Sequence, residues 1–145
     1  MSPMTNKFDV IPYERVGCIN FGDTRKQVLQ KLGQPSKSLI LYDGQTIPRD
    51  AYYELGVFVH YSEHDGIVEL IEVFEPSEPM FQGINLFNCD YRKPINALRS
   101  LGYKIDDLSK TYVSGYKCDE LGIGFFISND SLGCVAFYKK GYTSK

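Results

Sequence analysis

No stretch of the chain approaches the ~18–20 apolar residues that a membrane-spanning helix needs. Met1 to Gly17 also hold no apolar run long enough for a secretory leader, because Asp9, Glu14 and Arg15 interrupt the segment. These two absences predict a cytoplasmic protein with no membrane partner. The four cysteines (Cys18, Cys89, Cys118, Cys134) are scattered, with no C-x-x-C pair and no histidine near them in sequence. In a reducing compartment they read as small free side chains, not bridges or zinc ligands, and no metal or cofactor is expected. A basic excess is also missing: 16 Lys and Arg stand against 18 Asp and Glu, a net charge of −2. That argues against direct nucleic-acid binding. There is no G-x-S-x-G and no local cysteine-protease signature, so the chain is not expected to be an enzyme.

The chain has 145 residues, 43% of them hydrophobic and 14% aromatic, which places it among folded globular proteins and not disordered chains. A domain of this size buries roughly 68–70% of its unfolded surface and needs no staple to fold. The small net charge conceals a strong polarity. From Asp50 to Tyr91 there are nine acids and no Lys or Arg, so this window carries −9 and the remainder +7.

Two segments carry helix signals. In Gly22-Asp23-Thr24-Arg25-Lys26-Gln27, Thr24 and Gln27 form a T-x-x-Q capping box; Val28, Leu29 and Leu32 share a face, Gly33 ends the helix, and Pro35 forbids its continuation. The second signal runs from Asp90, read as the cap, to Gly102, with Ile95, Leu98 and Leu101 as its stripe. The segments that follow also echo one another. Glu54-Leu55-Gly56-Val57 returns 66 residues later as Glu120-Leu121-Gly122-Ile123, and Ile19-Asn20 returns as Ile84-Asn85. Ile67–Phe74 and its counterpart Gly133–Tyr138 read as strands, and Asp43-Gly44 reads as a hairpin turn between Leu39–Tyr42 and Gln45–Ile47. The predicted architecture is a single α+β domain over residues 1–145. It is made of two tandem repeats, about 15–80 and 81–143, each a short helix plus antiparallel strands, with the helices packed on one face of the sheet.

The run G-x-T-x-x-x-V-x-x-x-L-G-x-P (Gly22, Thr24, Val28, Leu32, Gly33, Pro35) resembles a helix motif of the β-lactamase inhibitor protein and of the SmpA/OmlA lipoprotein domain. The tandem layout, from about Val16 to Tyr142, is more similar to the former. The chain lacks both the acylated cysteine of the lipoproteins and the paired cysteines of a secreted inhibitor. Its size, fold type and predicted compartment make it similar to bacterial immunity proteins, including those of contact-dependent growth inhibition. The resemblance implies a cognate protein toxin as partner, the C-terminal nuclease domain of a larger secreted protein, met on the concave sheet face.

His60 and His64 lie at a strand end and a turn, where their spacing does not make a ligand pair. Glu69 and Glu75 point to one side of a strand and Glu72 to the other, which suits a solvated face better than a catalytic pair. The acidic window also carries Tyr52, Tyr53, Phe58, Tyr61 and Phe74. In the bland reading these rings fill the core and the acids only solubilise. In the functional reading they form an acidic, tyrosine-bearing face for a basic partner, where carboxylates speed encounter and rings supply contact area. The candidate partner-binding residues are Asp43, Tyr52, Tyr53, Glu54, His60, Glu63, Asp65, Glu69, Glu72 and Glu75. The rival readings are a scaffold subunit assembling through an open sheet edge and a small hydrolase with a Cys–His–Asp set formed in space.

Overall fold

A computed structural model describes residues 4–109 and 114–142. The chain opens with three strands, β1 (Lys7–Ile11), β2 (Arg15–Val16) and β3 (Ile19–Asn20), before the helix α1 (Arg25–Leu32). A meander follows: β4 (Lys37–Leu39), β5 (Arg49–Tyr52), β6 (Val57–Tyr61) and β7 (Val68–Val73). Next come β8 (Glu78–Phe81), β9 (Ile84–Asn85) and the helix α2 (Arg92–Ser100). A second meander closes the described chain: β10 (Asp106–Asp107), β11 (Gly115–Cys118), β12 (Ile123–Ser128) and β13 (Ser131–Tyr138).

Two sheets result. The larger has the order β10-β11-β12-β13-β7-β6-β5-β4, so the meanders join along an antiparallel β7–β13 seam, and the smaller has the order β3-β2-β1-β8-β9. Within the smaller sheet β1 and β8 are parallel, with Lys7 opposite Glu78 and Asp9 opposite Met80.

This corrects the expected fold class. Among the described residues the chain is mostly β, with thirteen strands against two helices of eight and nine residues, and its strands form two sheets. It is not an α+β tandem repeat with helices layered on a single sheet. The difference comes from the segments before each helix. Phe8 and Val10 alternate with exposed neighbours along β1 and bury into the core, and the two-residue strands β2, β3 and β9 complete a second sheet around it. The expected end of the second repeat, residue 143, lies outside the described residues.

Local signals explain the elements. Thr24 and Gln27 form the capping box, Val28 and Leu32 are buried, and Gly33 takes the positive-φ position after α1. In α2, Asp90 does not cap: Tyr91 holds the cap position without a side-chain bond, and Asp90 Oδ1 accepts the Arg92 N–H from one residue further back. Leu101, expected in the buried stripe, is 52% exposed because the helix has already ended. The Asp43-Gly44 turn forms, with the Gln45 N–H donating to Tyr42 O, but Gln45–Ile47 is loop and the returning strand begins at Arg49. The paired echoes Gly56 and Gly122 both sit at positive φ, just before β6 and β12.

One core binds these parts. The inner face of the large sheet buries Val57, Val59, Ile71, Val73, Ile123, Phe125, Val135 and Phe137 at 2% exposure or less. They fall opposite one another in register (Val59 and Phe137 both against Ile71, Val57 and Val135 both against Val73), as the alternation of side chains along a strand requires. The same cluster takes in Val28 and Leu32 of α1, Ile95 and Leu98 of α2, and Phe8, Val10, Val16 and Phe81 of the small sheet.

Candidate functional face

The outer face of the large sheet carries the alternate residues. Phe58, Leu70, Phe74, Phe126 and Tyr138 are half-buried and lie outside the core cluster. At the end of the sheet where β5 leads to β6 and β7 leads to β8, three rings touch. Phe58 meets Phe74 edge-on at 4.5 Å and Tyr53 at 6.2 Å, with Tyr53 itself 47% exposed. The Arg49 guanidinium lies 4.1 Å from the centre of the Phe58 ring. The two turns beside the rings are stitched together: Phe74 N–H donates to Gly56 O at 2.8 Å, and the buried Ser77 hydroxyl donates to Leu55 O with Gly56 O 2.9 Å away. These turns hold the exposed Glu54 and Glu75.

Along the same face, His60 of β6 and Glu72 of β7 form a pair, Nε2 to Oε1, at 2.5 Å. Burial alone would raise the Glu72 carboxyl, but the His60 hydrogen bond and the charges of His60 and Arg49 outweigh it and hold the group below the ordinary carboxylate value. Burial, with Glu72 adding to it, pushes the Cys134 thiol up to about 12. Burial also raises the Cys18 and Cys118 thiols, so these three are held in the protonated form, which is not the nucleophilic one. All four cysteines are free.

The structure therefore brings together five of the ten sequence candidates: Tyr53, Glu54, His60, Glu72 and Glu75. The other five lie elsewhere. Tyr52 is buried beneath the sheet, its hydroxyl donating to Gly33 O, and its phenol is pushed up to about 12 by burial and by Asp50. Glu69 is half-buried on β7. Asp43, Glu63 and Asp65 sit at the opposite end of the sheet, where Glu63 accepts from Thr46 N (2.9 Å), Thr46 Oγ1 (2.7 Å) and Ile47 N (2.9 Å). Those bonds, the Ile47 one first, lower the Glu63 pKa and give it a bracing role. Asp50, first acid of the window, is fully buried and serves the core: Arg25 grips it with Nε and Nη2 at 2.8 and 3.0 Å, Ser38 donates at 2.6 Å and Tyr61 at 3.2 Å.

The candidate set omitted three members of the face. Phe58 and Phe74 were visible as aromatics inside the acidic window, and Arg49 stands one residue before it. Among the described residues no cluster of three or more His, Cys, Asp or Glu is placed to hold a metal ion, and no helix is long and apolar enough to cross a membrane. No family model, no curated protein and no solved structure matches the chain.

Proposed function

We propose that this chain is a non-catalytic immunity protein of the cytoplasm that binds and neutralises a cognate protein toxin, with a basic nuclease domain as the partner class. One observation carries the reading. Three contacting rings stand on a sheet face outside the core, accompanied by three carboxylates (Glu54, Glu72, Glu75) and a single guanidinium, Arg49. Tyrosine and phenylalanine supply contact area at small cost in side-chain entropy, and a ring cluster framed by polar groups has the anatomy of a binding hot spot. A domain that cuts nucleic acid is basic where it grips phosphate, so a carboxylate-bearing face is drawn to that surface and competes for it.

The test pairs the full chain with the purified C-terminal domain of any large open reading frame found adjoining its gene. Glu54→Lys with Glu75→Lys should slow association by roughly tenfold at low salt and flatten its salt dependence. Tyr53→Ala should cost about 2 kcal/mol of affinity, mostly in dissociation. Glu72 is left intact because its bond to His60 also holds the sheet. Rates that ignore both the charge reversal and the salt concentration would remove the electrostatic basis of the proposal.

A further inference from the structure

Arg49 differs from the other four arginines of the chain. Each of those donates to a fixed acceptor: Arg15 to Gly17 O, Arg25 to Asp50, Arg92 to Asp90 and Arg99 to Ile105 O. Arg49 has no such acceptor among the described residues. Its Nε is sealed from solvent without a hydrogen-bond partner, and the two terminal nitrogens of this part-exposed side chain remain open. A guanidinium carries five donors in a rigid fork, so leaving all of them unclaimed by the protein calls for a reason.

The fork is nonetheless held in place. It lies 4.1 Å from the centre of the Phe58 ring, and Phe58 is in turn propped against Phe74 and Tyr53. Stacking fixes the plane of the guanidinium, so little entropy is lost when an oxyanion meets its open edge. Glu72, the carboxylate nearest in the sheet pattern, does not serve as that oxyanion, because its Oε1 is taken by His60 at 2.5 Å. Glu54 and Glu75 sit in the turns beyond the rings, and Glu54 is five residues along from Arg49, at most about 17 Å for extended chain. The face thus presents one unclaimed cation with carboxylates set around it.

We infer that Arg49 is the specificity anchor of this face, taking between its two terminal nitrogens a single carboxylate that the partner protein presents among cations. This rests on the reading of the face as one that binds a basic partner. The surrounding charge selects the occupant. A nucleic acid brings its phosphates in a row and sets further negative charge against Glu54, Glu72 and Glu75, whereas a protein can place one carboxylate inside a basic surface. Domains that cleave phosphodiesters with a carboxylate-held metal ion have that layout, cations around a carboxylate, which is the inverse of this face.

Two end-blocked peptides, KRDRK and KRNRK, test the anchor on the full chain at low salt, followed at the Arg49 Nε–Hε resonance. The first carries one positive charge fewer, so attraction to the acidic face alone favours the second. The anchor reverses that order: KRDRK should bind about 3- to 10-fold more tightly and shift the Arg49 resonance. Arg49→Met should restore the order that net charge dictates. Arg49→Lys, which keeps the charge but not the fork, should cut the preference to under about twofold. Equal affinities, no binding of either peptide, or a preference undiminished in both variants overturns the inference. Against the C-terminal domain used above, Arg49→Met should weaken affinity roughly 30-fold. A domain that responds to Glu54→Lys with Glu75→Lys but not to Arg49→Met sinks this inference alone, and one that responds to neither removes the reading of the face as well.

Discussion

Asp50 and Glu72 show what a linear count of charges conceals. Both belong to the −9 window, yet Asp50 faces the core and Glu72 the outer side of the sheet. Asp50 is tolerable at 0% exposure because Arg25, Ser38 and Tyr61 satisfy its two oxygens. Removing the guanidinium leaves a buried carboxylate without its counter-charge, so Arg25→Met should cost about 3–5 kcal/mol in urea unfolding. A cost near that of an ordinary surface change would show that Ser38 and Tyr61 suffice. Glu72 gives a pH signature. Its folded pKa lies below its unfolded value, so its contribution is fully present above the unfolded carboxylate range and is lost as pH falls through the folded value. Glu72→Gln should therefore flatten the acid limb of the stability–pH curve; an unaltered limb would mean that the His60 pair contributes nothing. Neither role was readable from the window, because partners 12 and 25 residues away meet these acids only once the strands are in register.

The element best announced by the sequence is α1. Its start, end and buried stripe are all local: Thr24 and Gln27 bond reciprocally at 3.2 Å and 2.8 Å, and Gly33 and Pro35 close it. Thr24→Ala should destabilise the fold by about 1 kcal/mol. Asp90→Ala, which removes no cap from α2, should cost less in the same thermal or urea unfolding series. The small sheet was hidden for the converse reason. A strand of two residues has no periodicity, and even Lys7–Ile11, which alternates cleanly, acquires its meaning only from Glu78–Phe81 some 70 residues on. The candidate site was legible in part: Tyr53, Glu54 and Glu75 stood out by residue type within the acidic window, but Glu75, read as a strand residue, lies in the turn after β7, and the inward turn of Tyr52 depended on which face of β5 the core occupies.

At the scale of the whole molecule, β7 and β13 are the innermost strands of an eight-stranded sheet and carry Ile71, Val73, Val135 and Phe137 on its sealed side. Hydrogen exchange should therefore be slowest at the amides of these two strands and fastest at β4 and β10, with β6 and β12 between. Uniform protection across the sheet would contradict the reading of the seam as its stability centre. The seam also has a consequence for how the protein is made. Residues 68–73 leave the ribosome long before residues 131–138 exist to pair with them. At synthesis rates of roughly 5–20 residues per second the gap of about 60 residues lasts about 3–12 s. For that time the first meander ends in a bare valine- and isoleucine-bearing strand that any extended neighbour can cap. The nascent chain is thus more exposed to misassembly than the finished one, and a requirement for chaperones during synthesis should ease as soon as β13 emerges.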